Sequence, residues 1–138
     1  MSMPETIPYN PGSLPFVTRW AARAAVTVAR MLARCRPDRV RWVMGRLHRG
    51  ARPAGTAQAL AAHRAVTTAS LYCAGREGCL PRSIAVALLC RARGTWPTWC
   101  VGVRRLPPFA AHAWVQVDGE PVGEEFPADY FRLLYSVG

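Results

Sequence analysis

Two segments carry residues that together could do chemistry. In GCLPRSIAVALLCRARG (78–94) a cysteine, Cys79, stands where a helix begins. In FAAHAWVQVDGEPVGEE (109–125) a histidine, His112, heads an alternating strand. A thiol is a good nucleophile once ionised, and both the N-terminal end of a helix and a nearby imidazole favour the thiolate. Cys79 is placed for the first effect. The other cysteines are not: Cys35 falls at a helix C-terminus, where the dipole opposes ionisation, and Cys73 lies near the end of another helix. Cys90 is in mid-helix and Cys100 inside a strand. Taken singly, Cys79 and His112 read as ordinary core residues. Taken together, a nucleophile on a helix end and a base on an adjacent strand form the constellation used in covalent acyl transfer.

A catalytic histidine needs a group to hold its ring and stabilise the imidazolium. Asp118, Glu124 and Glu125 are the nearby acids. Asp118 shares the face of His112 but sits roughly 20 Å along an extended strand, and its residue type suits the hairpin turn. If the turn has two residues, Glu125 pairs with His112; a three-residue turn brings Glu124 to that face instead. The Cys79 backbone N–H offers one oxyanion donor. Trp99 and Gln116 are weaker candidates for a second.

The elements that must position these groups follow from the pattern. Residues 1–14, with Pro4, Pro8, Pro11 and Gly12, read as an irregular arm. A helix is predicted from Leu14 to Arg34, with Arg19, Arg23, Arg30 and Arg34 within roughly 60° on its wheel and Phe16, Val17, Val28 and Met31 opposite. Asp38, after Pro37, is the expected N-cap of a second helix reaching about Leu47. Thr56 opens a third, running to about Tyr72. In the helix after Cys79, Pro81 is tolerated because it falls in the first turn. Ile84, Ala85, Leu88 and Leu89 form its apolar face, and Gly94 suits its C-terminal end. TWCVGV and HAWVQV alternate as strands, DG is a hairpin turn, and EPVGEEF is expected to return antiparallel. ADYFRLLYSVG adds a last strand or a helical turn. His48 and His63 read as surface residues of the helical half. The layout is α+β: a helical N-terminal half, then a nucleophile-bearing helix packed on a small antiparallel sheet. Three regions follow, an arm (1–14), a basic helical region (15–74) and a catalytic core (75–138), in one compact domain.

The chain has 138 residues and a formal charge of +10, with half of its residues apolar. That is enough for one domain with a usable core and too apolar for wholesale disorder. No run of 18 or more apolar residues is free of charge, so no transmembrane segment is expected. The N-terminal residues lack a signal-peptide pattern, which points to the cytoplasm. An odd number of cysteines with no secretion signal favours free thiols, and their spacing fits no zinc site. The charge is uneven: residues 1–78 hold twelve arginines against three acids, a net of +9, while residues 79–138 come to +1. The basic half is a natural docking face for an acidic partner.

CLPRSIAVALLCRARG followed by FAAHAWVQVDGEPVGE resembles the transglutaminase-like leader peptidases of lasso-peptide biosynthesis, the B2-type proteins, over about residues 70–138. The motif is C-L-x-R-S with a following helix, a strand closing in Gly-Val, then A-H-A-W-V-x-V-D-G. The resemblance implies a papain-like or transglutaminase-like fold and removal of the leader from a ribosomally made precursor, freeing the core peptide for a separate cyclase. It assigns Cys79 as nucleophile and His112 as general base and acid. The third residue of the family, an Asp about twelve positions after the histidine, lands on Glu124, one methylene longer. No metal or organic cofactor is implied. The first half has neither room nor strand pattern for a leader-recognition domain, so a separate recognition protein is the expected partner beside the precursor peptide, with the lasso cyclase a further candidate. Nucleic acid is not an expected partner. Two rivals stand: acyl transfer to an amine by the same dyad, and a non-catalytic basic module that binds peptide, RNA or an anionic membrane.

Overall fold

The computed structural model describes residues 15–127 and 129–138; the arm at 1–14 lies outside them. Helix α1 (Phe16–Ala33) is followed by α2 (Pro37–His48), β1 (Arg52–Pro53), α3 (Thr56–Ala69) and the single turn α4 (Leu71–Ala74). A 3-10 turn at Arg76–Gly78 leads into α5 (Cys79–Ala92). Then come β2 (Thr95–Trp96), β3 (Thr98–Arg104), β4 (Ala111–Val117), β5 (Glu120–Pro121) and β6 (Phe131–Val137). The architecture is the expected α+β arrangement, of transglutaminase-like or papain-like type.

α5 is the hub. Pro81, Ser83, Ile84, Ala85, Val86, Ala87, Leu89 and Cys90 are all buried, which takes in far more of its circumference than one apolar stripe. A helix apolar nearly all round must be covered on several sides. α1 and α3 pack on it from one side and β4 from another. α1 approaches through Ala22, Ala25, Val26 and Ala29, small side chains that let two helices come close. This corrects the expected face of α1: Phe16 and Val17 are 71% and 78% exposed, and Val28 and Met31 are exposed too. Hydrophobic size suggested the wrong stripe, because the face of α1 buried beside α5 carries three alanines and one valine.

The main sheet has the order β5-β4-β3-β6, all antiparallel. Ala113, Val115 and Val117 of β4 are buried. On β3, Trp99 is fully buried and donates its indole N–H to Ser83 of α5 at 3.0 Å, tying sheet to helix. The C-terminal segment is a strand, β6, on the far side of β3. A separate parallel pair, β1 with β2, was not legible in so short a pattern.

Three boundaries differ from expectation. α2 begins at Pro37, so Asp38 lies inside its first turn and pairs with exposed Arg36 at 3.5 Å. α3 stops at Ala69, where Ser70 turns extended and caps α4 by accepting from the Cys73 N–H. The return strand EPVGEEF pairs only at Glu120 and Pro121. Asp118 (φ 52°) and Gly119 (φ 79°) form the expected hairpin turn, with both residues left-handed, and it has two residues, the length the DG pair leaves open.

Candidate active site

Cys79 is the first residue of α5, in the turn whose backbone N–H groups have no partner within the helix. His112 is the second residue of β4. The structure brings them together: both residues line the same two cavities, and each shifts the ionisation of the other, with the Ala113 backbone N–H also acting on the thiol. That N–H is available for a topological reason. The Val115 carbonyl accepts from the Val122 N–H at 2.9 Å, so the backbone groups of Val115, and two residues earlier of Ala113, point to the β5 flank. β5 is too short to reach Ala113, which leaves that N–H free to act on the thiol.

Glu124 arrives by a route that turn length alone does not reveal. The turn has two residues, which in a continuous ladder would set Glu125 opposite His112. The ladder ends at Pro121, however, and Gly123 turns left-handed at φ 73°. The chain swings across, and Glu124 Oε2 lies 3.3 Å from His112 Nε2, an ion-pair distance with the N–H off the line to the oxygen. Glu125 is exposed at the mouth of the same cavity, and Asp118 stays in its turn. Neither touches His112.

Three residues of the site escaped the sequence reading. Arg82 sits one helical turn from Cys79. Its guanidinium donates to the carbonyls of Cys73 (3.0 Å) and Gly75 (3.2 Å), and it lies 3.7 Å from Glu124 Oε1. The i, i+3 spacing from Cys79 was the available signal. His63 of α3 is buried, contrary to its expected surface position, and burial together with Arg82 pushes its pKa down to about 4. It underlies Gly123, where a Cβ would sit 2.5 Å from His63 Nε2. Phe131 of β6 stacks on the His112 ring with centroids 4.6 Å apart. Neither His63 nor Phe131 had a local signal, since each meets its partner only through the tertiary fold.

The electrostatics follow. Burial pushes the Cys79 thiol up, but the His112 hydrogen bond, the Ala113 N–H and the charges of His112 and Arg82 outweigh it and hold the thiol below its ordinary value. Burial works against the His112 imidazolium, yet Cys79 and Glu124 raise its pKa to about 9. Burial opposes the Glu124 carboxylate, and His112 and Arg82 hold it charged. By contrast, burial alone lifts Cys100 to about 12, and burial dominates at Cys90, which reaches about 11. An imidazolium beside a thiolate is the arrangement these directions favour.

The pair opens to solvent on two sides. One is a cavity of about 620 Å3 walled by Arg82, Arg104, Glu124, Tyr130 and Phe131. The other is an apolar pocket of about 260 Å3 between Val40, Leu80, Trp99, Val101 and Tyr135. Cys79 and His112 line both. Of the weaker oxyanion candidates, Trp99 donates its indole N–H to Ser83, while Gln116 accepts from the Trp114 indole at 3.2 Å through its side-chain oxygen. Among the described residues, no three His, Cys, Asp or Glu side chains are arranged to hold a metal ion. No helix of theirs is long and apolar enough to cross a membrane.

Residues 22–136 match the transglutaminase-like superfamily. The match takes in α1 to α3 as well as α5 and the sheet, well beyond the 70–138 span of the motif. No curated protein and no solved structure matches the chain. Family membership on this scale supports a hydrolase or protease role. Matched over most of its length, the chain belongs to the transglutaminase-like superfamily, the family associated with lasso-peptide leader peptidases.

Proposed function

We propose that the protein is a cysteine peptidase that removes the leader from a lasso-peptide precursor, with Cys79 as nucleophile, His112 as general base and acid, and Glu124 orienting the imidazole. The observation that supports this reading is that Cys79, at the start of α5, and His112 line the same cavities, with the Glu124 carboxylate 3.3 Å from the imidazole. The C-L-x-R-S and A-H-A-W-V motifs supply the substrate class.

In the reaction, His112 takes the thiol proton and the Cys79 sulfur adds to the carbonyl carbon that precedes the core peptide. The oxyanion meets the Cys79 N–H. His112 returns the proton to the departing amine, and the core peptide leaves. The leader remains as a thioester on Cys79. Water, deprotonated by His112, attacks that carbonyl; the leader departs as its carboxylate, and the thiol is restored. A separate recognition protein delivers the leader, and the arginine-bearing face of α1 is the docking surface assigned to it.

The test is to incubate the protein with the precursor, with and without the recognition protein, and follow leader release by mass spectrometry. Release abolished by Cys79→Ala and His112→Ala, and reduced by Glu124→Gln, is the expected result. Release that survives Cys79→Ala overturns the mechanism.

A further inference from the structure

The apolar pocket beside Cys79 does not end there. Pro37 and Tyr135 wall both it and a second, open groove of about 620 Å3 along the outer face of α2. That groove carries Arg41, Arg46 and Arg49 against a single acid, Asp38, whose carboxylate pairs with Arg36. Two of the arginines sit over aromatic rings: Arg41 over Tyr135, 4.7 Å from its centroid, and Arg46 over Trp42, 5.3 Å from its centroid. A guanidinium placed over a ring face is held by the cation–π attraction and still has N–H groups to offer a carboxylate. Among the described residues no salt bridge occupies Arg41, Arg46 or Arg49. Trp42 is 63% exposed, an unusual position for so large an apolar side chain.

From this continuity we infer that the substrate peptide runs from Cys79 through the apolar pocket into the arginine groove, and that it is recognised by an apolar side chain followed by acidic ones. At about 260 Å3 the pocket is smaller than the roughly 300–1,000 Å3 of small-molecule sites, a size suited to one side chain. Its walls, Val40, Leu80, Trp99 and Val101, are apolar. The groove beyond supplies the charge. An acidic peptide is thus held at two points on one side of Cys79, and the carbonyl at the Cys79 end of the pocket is presented to the thiol. The inference rests on the peptidase reading for its direction but not for its measurement.

The experiment reads binding without turnover. The Cys79→Ala protein is titrated against fluorescein-labelled synthetic dodecapeptides carrying one leucine followed by three glutamates, with anisotropy as readout. The control peptides replace the glutamates with glutamine, or the leucine with glycine. We expect the acidic peptide to bind about tenfold or more tightly than the glutamine peptide, a margin that three exposed charge contacts can supply. Salt should erase the margin. The glycine peptide should also bind more weakly. The double substitution Arg41→Glu/Arg46→Glu, on exposed side chains, should abolish the preference while leaving iodoacetamide alkylation of Cys79 in the otherwise wild-type chain unchanged. Equal binding of acidic and glutamine peptides, or a preference that survives the double substitution, overturns the inference. So does a single-stranded oligonucleotide of equal charge that outcompetes the acidic peptide at the groove. Failure of leader release with this preference intact would count against the peptidase reading alone.

Discussion

A thiol and an imidazole that shift each other's ionisation titrate as a pair. With the Cys79 thiol held below its ordinary value and His112 raised to about 9, the thiolate–imidazolium form is favoured between the two ionisations. Its alkaline loss comes from His112, which above its pKa has no proton to give the departing amine. The profile of kcat/KM should therefore be bell-shaped, with an alkaline limb near pH 9 and an acid limb below the pH at which an ordinary thiol ionises. Glu124→Gln removes one of the charges that raise His112, so the alkaline limb should move to lower pH as the rate falls. A stopped assay across pH 5 to 10 reads both effects. His112→Ala should cost about 10²–10⁴ in rate, the usual span for a positioned acid–base group.

At the scale of elements, the segment after β5 decides which acid reaches the histidine. Gly123 is left-handed and lies against the buried His63 ring. Gly123→Ala meets both constraints, and it should destabilise the fold by roughly 1–3 kcal/mol and move Glu124 away from His112. Thermal melts and the shift of the alkaline limb would show the two effects separately. His63 makes a second prediction. Its folded pKa, about 4, lies below the unfolded value of 6.5, so both states are neutral above pH 6.5 and the unfolded state takes the proton first as pH falls. The resulting loss of stability grows between pH 6.5 and 4 to about 3 kcal/mol. His63→Gln should flatten that part of the stability curve in denaturant titrations. His112 has the opposite sign: its raised pKa stabilises the fold below pH 6.5, and that contribution fades as pH rises through about 9. The sequence carried the positions of α5, β3, β4 and the DG turn because caps, period-2 alternation and turn chemistry are local. It did not carry the route of residues 122–125, the burial of His63 or the outward face of α1. Those depend on where the ladder ends and how closely α1 approaches α5, and no local pattern encodes either.

Over the whole molecule, charge and exposed apolar surface coincide on the first helices. Arg23 lies over Trp20 at 5.6 Å and Arg30 over Tyr72 at 4.7 Å, beside exposed Phe16 and Met31. Reversing Arg23 and Arg30 to glutamate should weaken leader release that depends on the recognition protein, and should leave the intrinsic reactivity of Cys79 untouched. Comparing release with thiol alkylation on the same preparation separates the two. Reactivity of Cys79 within the intact chain is also where the central claim is most exposed. The decisive measurement is the pH dependence of iodoacetamide alkylation, read site by site by mass spectrometry, with the half-buried Cys35 as internal reference. We expect Cys79 to react first, its rate to persist below the roughly 8.5 of a free thiol, and His112→Ala to raise that midpoint. Alkylation of Cys79 with the rate and midpoint of an ordinary thiol, unmoved by His112→Ala, would contradict the central claim.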